Sequence, residues 1–537
     1  MTAIRCRIKD YIQPFERALA LRELSAVAAA TPRPFSDDDG RSTEFVVTTA
    51  KPLRVLADSL AYWELVSTKS IATTTRQSLR ESTVNLVRNG VDLEMLKQLL
   101  PFANAVPQPN RRCLRYGTHG IHEYRGKFFP QLVRSLINIS GTSPGGVIAD
   151  PMSGSGTTLV EAALFGCRGL GLDMNPLSTY LADTKCDLLS ADAKKLEAAY
   201  RAVCGFMFPP EARGKHKLTY VQGLPEADQL YLGRWFGEEV LVGLDEIATI
   251  IKDVAYTPAR NLMWIVLSNI LRSVSWQKDD DLRVRKEVRL DIEINPKREF
   301  LEELARSVRA VLAFLYQEQP TDVPEHSIVA GDARRCGELW AEHKGRVDAV
   351  ITSPPYASAL PYLDTDRLSL CFLGLLPRPE HRGRDQQMIG NREVTEGLRR
   401  AYLARLEHDW PLLPDSVREL VERIGRLNDG TGAGFRRKNL PALLSNYFFD
   451  MRDVLKGVFD VLKPGAQAFV VVGNNHTIAG GTRVDIETAK LLAEMAGKLG
   501  FLVQPSLSMD MLVSRDIFKK NAMATEEILF LRKPAYR

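Results

Sequence analysis

The chain has 537 residues, of which 45% are hydrophobic and 26% charged, a composition typical of soluble globular proteins rather than disordered or fibrous ones. This length exceeds one ordinary domain and predicts two or three packed units. No apolar run reaches the length of a membrane span, and the N-terminal segment has acidic residues and no apolar core ending in a cleavage site. We therefore expect a cytoplasmic protein.

Charge and cysteine content exclude few further classes of partner or site. The 71 lysines and arginines exceed the 66 acidic residues by five, too small an excess to indicate a nucleic-acid partner. The seven cysteines are scattered without a CxxC pair or a Cys/His cluster, so we expect no metal site. Basic residues gather in three stretches, each either a nucleic-acid contact or a solvated face. They are Arg111, Arg112, Arg115, Arg125 and Lys127; Arg283, Arg285, Lys286 and Arg289; and Arg436, Arg437 and Lys438.

Apolar runs and helical patterns begin to alternate at about residue 117. The first hundred residues alternate helical-looking stretches with a polar turn and end in a Pro/Asn-rich linker. After them GGVIAD reads as a buried strand, TTLVEAALFG as a helix, CRGLGLD as a strand and NPLSTYLADTK as a helix. Such alternation predicts a parallel sheet.

Two segments interrupt this alternation. Residues from about 180 to 320 are mostly helical by periodicity, and a second helical and basic segment covers roughly 358–445. Strands are predicted at HSIVAGD, RVDAVITSPPY and AQAFVVVG, and helices at NYFFDMRDVLKGVFDVLK and DIETAKLLAEMAGKLG. The last strands, FLVQPSLSM and EEILFLRK, have no helix between them and predict an antiparallel hairpin at the sheet edge.

A glycine-rich loop, DPMSGSGTT at 150–158, joins a predicted strand to a helix. Gly154 and Gly156 allow a tight turn and close approach to a ligand. Thr157 and Thr158 can cap the helix, and Asp150 can bind a cationic or hydroxyl-bearing group. The loop lacks the lysine of a Walker A motif and the spacing of a dinucleotide fingerprint, so a plain tight turn is the alternative.

Two further acidic residues close predicted strands. Asp173 lies about twenty residues after the loop, where a carboxylate can take both hydroxyls of a ribose. The alternative is a helix-capping aspartate. Asp332, in VAGDAR, can accept a hydrogen bond from an adenine amino group.

The segment Thr352-Ser353-Pro354-Pro355-Tyr356 directly follows the apolar strand DAVI. Two prolines fix an extended loop and leave the preceding carbonyls without local partners. Ser353 and the carbonyl of Pro354 can accept both hydrogens of an exocyclic amine, which points the nitrogen lone pair at an electrophile. Tyr356 can stack on a planar base. The alternative is a proline-stiffened turn.

Together these motifs resemble the amino-methyltransferases of DNA, which form N4-methylcytosine or N6-methyladenine. The segment HEYRGKFFP at 122–130 resembles the motif upstream of the glycine loop in this family. The resemblance covers roughly 117–180, 326–372 and 445–535, and it implies S-adenosylmethionine as the cofactor. It implies that Phe128, Asp150, Pro151, Gly154, Gly156, Thr157, Thr158, Asp173 and Asp332 bind the cofactor, and that Ser353, Pro354, Pro355 and Tyr356 are catalytic.

The family resemblance also implies an activity and a fold. The Ser-Pro-Pro-Tyr form is more similar to the cytosine-N4 branch, because the adenine branch usually has Asp or Asn first. Met152 and the pair Arg125-Gly126 depart from the commoner Phe and Pro-Ala. Methyl transfer is direct, onto a base held outside the stack, since no Pro-Cys nucleophile occurs. The implied fold is an α/β doubly wound seven-stranded methyltransferase sheet with an antiparallel edge hairpin, helical insertions and an N-terminal extension.

We expect double-stranded DNA as the partner, with no membrane, and a cytoplasmic, nucleoid-associated location. The alternatives are an N6-adenine enzyme, an RNA amino-methyltransferase and a silent nucleic-acid-binding subunit of a defence complex. The predicted units are 1–110 (extension), 111–180, 326–372 and 445–537 (methyltransferase domain), and 181–325 and 373–444 (insertions). Target reading is expected in an insertion, and Gly432 and Gly434 with Arg436, Arg437 and Lys438 predict a loop that contacts phosphates. For the extension, DNA clamping, homodimerisation and docking of a defence-system partner stay open.

Overall fold

A computed structural model describes twelve stretches of the chain. They are residues 1–35, 42–102, 113–124, 126, 128–207, 218–278, 285–288, 294–357, 363–392, 394–429, 434–510 and 525–535. The predicted contacts of Arg111, Arg112, Arg125, Lys127, Arg283, Arg289 and Gly432 lie outside the described residues. Within these stretches, no helix has both the length and the apolarity needed to cross a bilayer.

The strands of the described residues belong to three sheets. They are β1 (Thr2–Ile8), β2 (Arg33–Pro34), β3 (Glu44–Thr49), β4 (Trp63–Ser67), β5 (Ala72–Thr74), β6 (Val147–Asp150), β7 (Arg168–Asp173), β8 (His326–Ala330), β9 (Val347–Thr352), β10 (Leu462–Gly473), β11 (Asn475–Ala479), β12 (Thr482–Ile486), β13 (Leu502–Asp510) and β14 (Thr525–Arg532).

Helices connect and cover these strands. They are α1 (Pro14–Ala28), α2 (Leu53–Ser59), α3 (Arg76–Arg88), α4 (Leu93–Leu99), α5 (Pro130–Ser140), α6 (Thr157–Phe165), α7 (Pro176–Asp187), α8 (Ala193–Met207), α9 (Thr219–Gln222), α10 (Glu226–Trp235), α11 (Glu238–Lys252), α12 (Thr257–Leu271), α13 (Pro296–Glu318), α14 (Cys336–Leu339), α15 (Arg367–Phe372), α16 (His381–Gln387), α17 (Glu396–Asp409), α18 (Asp415–Asn428), α19 (Phe435–Val461) and α20 (Thr488–Lys498).

The largest sheet has seven strands in the order β13-β14-β10-β9-β6-β7-β8. The strands from β10 to β8 run parallel, whereas β14 is antiparallel to both β10 and β13. The predicted doubly wound sheet and its antiparallel edge hairpin are therefore confirmed. The chain runs outward from β6 to β8 and returns to place β9 on the other side of β6. Ligands bind at such a reversal, beyond the carboxyl ends of the strands.

A five-stranded antiparallel sheet, in the order β2-β3-β1-β4-β5, occupies the N-terminal hundred residues. The sequence pattern predicts only helical stretches and turns there, and it misses these strands because each has seven residues or fewer. Ile4, Leu19 and Trp63 belong to the same buried cluster as Ile351 and Phe469 of the large sheet. The extension therefore covers one face of the large sheet and shares its core.

Two further expectations are corrected near the C-terminus. The predicted helix DIETAKLLAEMAGKLG begins only at Thr488, because Asp485 and Ile486 pair with Asn475 and His476 in the unpredicted β11–β12 hairpin. The expected phosphate-contacting loop is likewise helical from Phe435 onward, so Arg436, Arg437 and Lys438 lie in the first turn of α19. Gly434 is the residue before that helix, with an extended backbone.

A buried ion pair ties the extension to the first insertion. Arg80 of α3 and Glu318 of α13 are 1% and 2% exposed, and their side chains approach to 2.7 Å. Arg76 donates a second hydrogen bond to the same carboxylate, at 2.8 Å. A buried charge left without its partner is costly, so each member of this pair depends on the other.

Glu318→Ala should lower the free energy of unfolding by about 3–5 kcal/mol, because it leaves Arg80 charged and buried. Urea denaturation measures the change. Glu422→Ala is the matched control, since it removes an exposed pair with Arg418 on α18 and should cost less than about 1 kcal/mol. Equal losses in the two variants would contradict the role assigned to the buried pair.

Candidate active site

A cavity of about 440 Å³ opens at the carboxyl ends of the parallel strands. The loops after β6, β7, β8 and β9 each contribute to its wall, so four separate sequence motifs meet there. Of the predicted site residues, Phe128, Pro151, Gly154, Asp173, Asp332, Ser353, Pro354, Pro355 and Tyr356 line it. The remaining predicted residues, Asp150, Gly156, Thr157 and Thr158, do not.

An adjoining small cavity of about 30 Å³ accounts for most of the others. Asp150, Thr157 and Thr158 line it together with Gly154 and Ser353. Gly156 faces neither cavity. It has φ +80°, and a Cβ there would lie 2.6 Å from the Cβ of Ala182 on α7, so this glycine lets two helices approach closely.

Asp150 holds the glycine loop in shape. One carboxylate oxygen accepts a hydrogen bond from the Thr158 hydroxyl at 2.8 Å, and the other accepts from the backbone N–H of Met152 at 3.1 Å. Burial raises the pKa of this carboxyl to about 6. Asp150 and Thr158 are therefore hydrogen-bonded to each other. The expected capping of α6 by threonine is not formed, and Gly156 is the residue at its N-cap.

Asp173 contacts the glycine-rich loop and also lines the cavity. Its carboxylate accepts the backbone N–H groups of Gly154 at 2.9 Å and Asn175 at 2.8 Å. Burial raises its pKa to about 6. A carboxylate oxygen has two lone pairs, so both oxygens can accept a further hydrogen bond from a ligand. Asp173 joins the first two motifs and faces the cavity at the same time.

Asp332 lies in the cavity wall after β8, the strand next to β7, and it is paired. Arg334 donates to its carboxylate at 2.7 Å and reaches Asp450 of α19 at 3.2 Å. This network fixes the carboxylate direction, which the sequence does not reveal. It leaves Asp332 in the cavity wall, beside Gly331 and Ala333.

The Ser-Pro-Pro-Tyr loop is held from two sides. Gly390, with φ +77°, packs so closely that a Cβ would lie 3.0 Å from the backbone oxygen of Tyr356. The Tyr356 hydroxyl donates a hydrogen bond to the carboxylate of Glu526 on β14. Burial raises the pKa of Glu526 to about 7, and this side chain lines the cavity.

Glu526 is the residue of the site that the motifs miss. A weak signal was present, because Glu526 shares a strand face with Ile528 and Phe530, which are both buried. A carboxylate on the buried face of an edge hairpin therefore indicates a specific partner. That partner, Tyr356, is 170 residues away in the chain.

The residues present fit S-adenosylmethionine. The volume suits a nucleoside-sized ligand, the wall combines an aromatic ring with two carboxylates, and Gly154 keeps the backbone open where a side chain would crowd Tyr124. The hydroxyls of Ser153 and Ser155 are buried and find no hydrogen-bond partner within the part of the chain that the structure describes. Such orphaned groups beside a glycine loop are typical of a site that a ligand completes.

Comparison with known proteins gives one family-model match, described as UPF0020, RMKL-like, methyltransferase domain, over residues 122–199. The Type II methyltransferase M.BsoBI of Geobacillus stearothermophilus is 23% identical over 455 residues, covering 76% of this chain and 85% of that protein. These matches support an S-adenosylmethionine-dependent DNA methyltransferase.

Two further relatives have lower coverage or similarity. The Type II methyltransferase M.MvaI of Kocuria varians is 27% identical to this methyltransferase over 273 residues, covering 48% of this chain and 58% of that relative, which is less than two thirds of its length. A crystal structure of TrmN from Thermus thermophilus covers 99% of both chains at 11% identity, with a TM-score of 0.30. The similarity to methyltransferases confirms the prediction that S-adenosylmethionine is the cofactor.

Gly154→Ala should weaken binding of S-adenosylmethionine to the methyltransferase about tenfold or more, measured by titration calorimetry. The added Cβ would lie 3.2 Å from Tyr124 Cε1, which forms part of the cavity wall. Gly141→Ala is the matched control, because Gly141 also has positive φ but has open space around it. Both variants carry a backbone strain of about 1–2 kcal/mol. Equal cofactor affinity in the two would refute the crowding argument.

Activity of the methyltransferase should rise as pH passes through about 7, because ionised Glu526 accepts the Tyr356 hydrogen bond more strongly than the protonated form. Glu526→Gln should remove this inflection from the kcat/KM profile. Glu527→Gln is the control on the same strand, since Glu527 contacts Asn474 and Ser506 instead. An unchanged inflection in Glu526→Gln would show that another group titrates.

Proposed function

We propose that this protein transfers a methyl group from S-adenosylmethionine to the exocyclic N4 of a cytosine in double-stranded DNA. One observation carries the proposal: Ser353, Pro354 and Tyr356 line the same cavity as Phe128 and Asp173. An amine-holding loop and a cofactor-holding loop thus face one space. Direct transfer requires both reactants to lie in contact within a single site.

The loop after β9 would hold the amine. Ser353 Oγ and the carbonyl oxygen of Pro354 each accept one amine hydrogen, which turns the nitrogen lone pair away from the ring. Tyr356 stacks on the base, and Pro355 keeps the loop extended. The nitrogen forms a bond to the methyl carbon, the carbon–sulfur bond breaks with its electron pair going to sulfur, and one amine proton leaves for solvent.

The loops after β6, β7 and β8 would hold the cofactor. When bound, S-adenosylmethionine supplies an electrophilic methyl group on a sulfonium sulfur. Asp173 accepts the ribose hydroxyls, Asp332 accepts from the adenine amino group, and Phe128 packs against the cofactor. Pro151, Gly154 and Gly156 shape the loop backbone. Asp150, Thr157 and Thr158 support it from the small cavity, so we assign them positioning roles.

The choice of N4 over N6 rests on Ser353. An amide or carboxylate at this place is usual in the adenine branch, and serine is the form that the cytosine branch resembles. Adenine-N6 methylation is the runner-up because the same two acceptors can orient either amine. We propose that the target base leaves the duplex to enter the cavity, since an amine within the stack cannot reach it.

We propose double-stranded DNA as the partner because the relatives that match along most of this chain are Type II methyltransferases. In this view the chain provides the modification activity of a restriction–modification pair. We also propose that residues 181–325 and 373–444 read the target sequence, while 111–180, 326–372 and 445–537 form the catalytic domain. For residues 1–110, clamping of DNA, homodimerisation and docking of a partner stay open.

The proposal predicts labelled N4-methylcytosine when the protein is incubated with labelled S-adenosylmethionine and duplex DNA, as measured by mass spectrometry of the nucleosides. Ser353→Ala should lower kcat by about 100-fold or more, because one preorganised acceptor of the amine is lost. Cofactor affinity in that variant should stay unchanged. Labelled N6-methyladenine would establish the runner-up instead.

Transfer to RNA but not to DNA would overturn both the cytosine-N4 and the adenine-N6 hypotheses for DNA. Binding of DNA without transfer to either nucleic acid would favour a silent subunit. Full activity in Ser353→Ala would refute the assigned role of the loop.

A further inference from the structure

A second cavity, of about 310 Å³, lies outside the active-site cavity and is rich in cations. Three arginines from two segments line it, Arg392 before α17 and Arg436 and Arg437 in the first turn of α19. Asn475 and His476 of the β11–β12 hairpin form its other wall. We call this cavity the arginine groove. None of the residues that line it is acidic, so the groove suits an anion.

The arginine groove is attached to the catalytic loop on both sides. Asn475 Nδ2 donates a hydrogen bond to the backbone oxygen of Ala357 at 3.4 Å, and Ala357 directly follows Tyr356. On the other wall, Arg392 lies two residues after Gly390, which packs against Pro355 and Tyr356. One hydrogen bond and the short segment from Gly390 to Arg392 therefore connect the groove to the loop that carries Tyr356.

The arginines lie on a rigid support. Pro441 inside α19 cannot donate to the carbonyl of Arg437, and Asn428 Nδ2 donates to that carbonyl instead, at 2.9 Å. The hairpin turn packs against the end of α18 so closely that a Cβ at Gly480 would lie 2.1 Å from the oxygen of Leu427. The groove is therefore preorganised, which lowers the entropy cost of binding.

The side chains of Arg436 and Arg437 are exposed, and no carboxylate among the described residues forms an ion pair with either. Two exposed arginines of α18 behave differently, since Arg418 and Arg426 both pair with Glu422. Arginine is the side chain best suited to phosphate, because its planar group can donate two parallel hydrogen bonds.

We propose that the arginine groove binds the backbone phosphates next to the target nucleotide, on the strand that carries it. This inference rests on the proposed function. An extruded nucleotide remains joined to both neighbours, so its flanking phosphates must lie near the mouth of the active-site cavity. The groove contacts the loop that lines that cavity and carries the required charge. It would hold the strand while the base lies against Tyr356.

The test uses the double variant Arg436→Gln/Arg437→Gln and a 30-base-pair duplex containing one mismatched cytosine, with cofactor affinity measured in parallel. Removal of two phosphate contacts should lower the slope of log affinity against log salt concentration by about 1.8. Affinity for S-adenosylmethionine should not change. The control, Arg418→Gln/Arg426→Gln, makes the same charge change on α18 and should keep the wild-type slope.

A second measurement locates the contact. Uncharged methylphosphonates on either side of the mismatched cytosine should weaken wild-type binding about tenfold and leave the double variant nearly unaffected. The same substitution ten nucleotides away should weaken both proteins equally. An unchanged salt slope, or equal sensitivity of the two proteins beside the cytosine, would overturn the proposal.

These readouts separate the groove from the reaction. Binding is measured at equilibrium without methyl transfer, so a failed nucleoside assay and a failed groove give different results. A slope change seen with RNA of the same sequence but not with the DNA duplex would also overturn the proposal.

Discussion

The parallel pairing of β6 with β9 is the constraint on which the site depends. Ile148 pairs with Ala349 and Ala149 with Val350, although about two hundred residues separate the strands. Because both strands end at the same edge, the glycine loop and the Ser-Pro-Pro-Tyr loop emerge side by side. The chain reaches this arrangement by building β7 and β8 on one side of β6 and returning to the other. The ligand cavity follows from that reversal.

Buried carboxylates hold the loops at this edge. Asp150, Asp173 and Glu526 all have raised pKa values because they are removed from water. Each is stabilised by hydrogen bonds from the loop that it supports, from backbone N–H groups or hydroxyls. These buried polar groups therefore fix the geometry of the loops, and the atoms that face the ligand have fixed directions. This is the usual form of preorganisation in an active site.

The parts outside the sheet are integrated with it rather than appended. The N-terminal strands share a buried core with the large sheet, and Arg80 with Glu318 connects them to the first insertion. The second insertion ends in α19, whose first turn carries arginines and whose buried face packs under the sheet. One helix therefore connects the arginine groove to the hydrophobic core, which fixes the groove relative to the Ser-Pro-Pro-Tyr loop.

The sequence by itself determined the local chemistry of the site. The motifs at 150–158, at Asp173 and at 353–356 each follow a strand, and glycine and proline restrict the backbone within a few residues, so their loops could be predicted. It also predicted the parallel sheet and its edge hairpin, because apolar runs alternate with helical periodicity. The five N-terminal strands and the β11–β12 hairpin were not predicted, because short strands have too few residues to show a hydrophobic period.

Only the tertiary structure decided which side chains meet. Glu526 reaches Tyr356 across 170 residues, and the arginine groove assembles residues from three separate segments. It also showed that Asp150 contacts Thr158 instead of facing the large cavity. The physical reason is that strand order and helix packing set these distances, and they depend on long-range burial that no local pattern encodes.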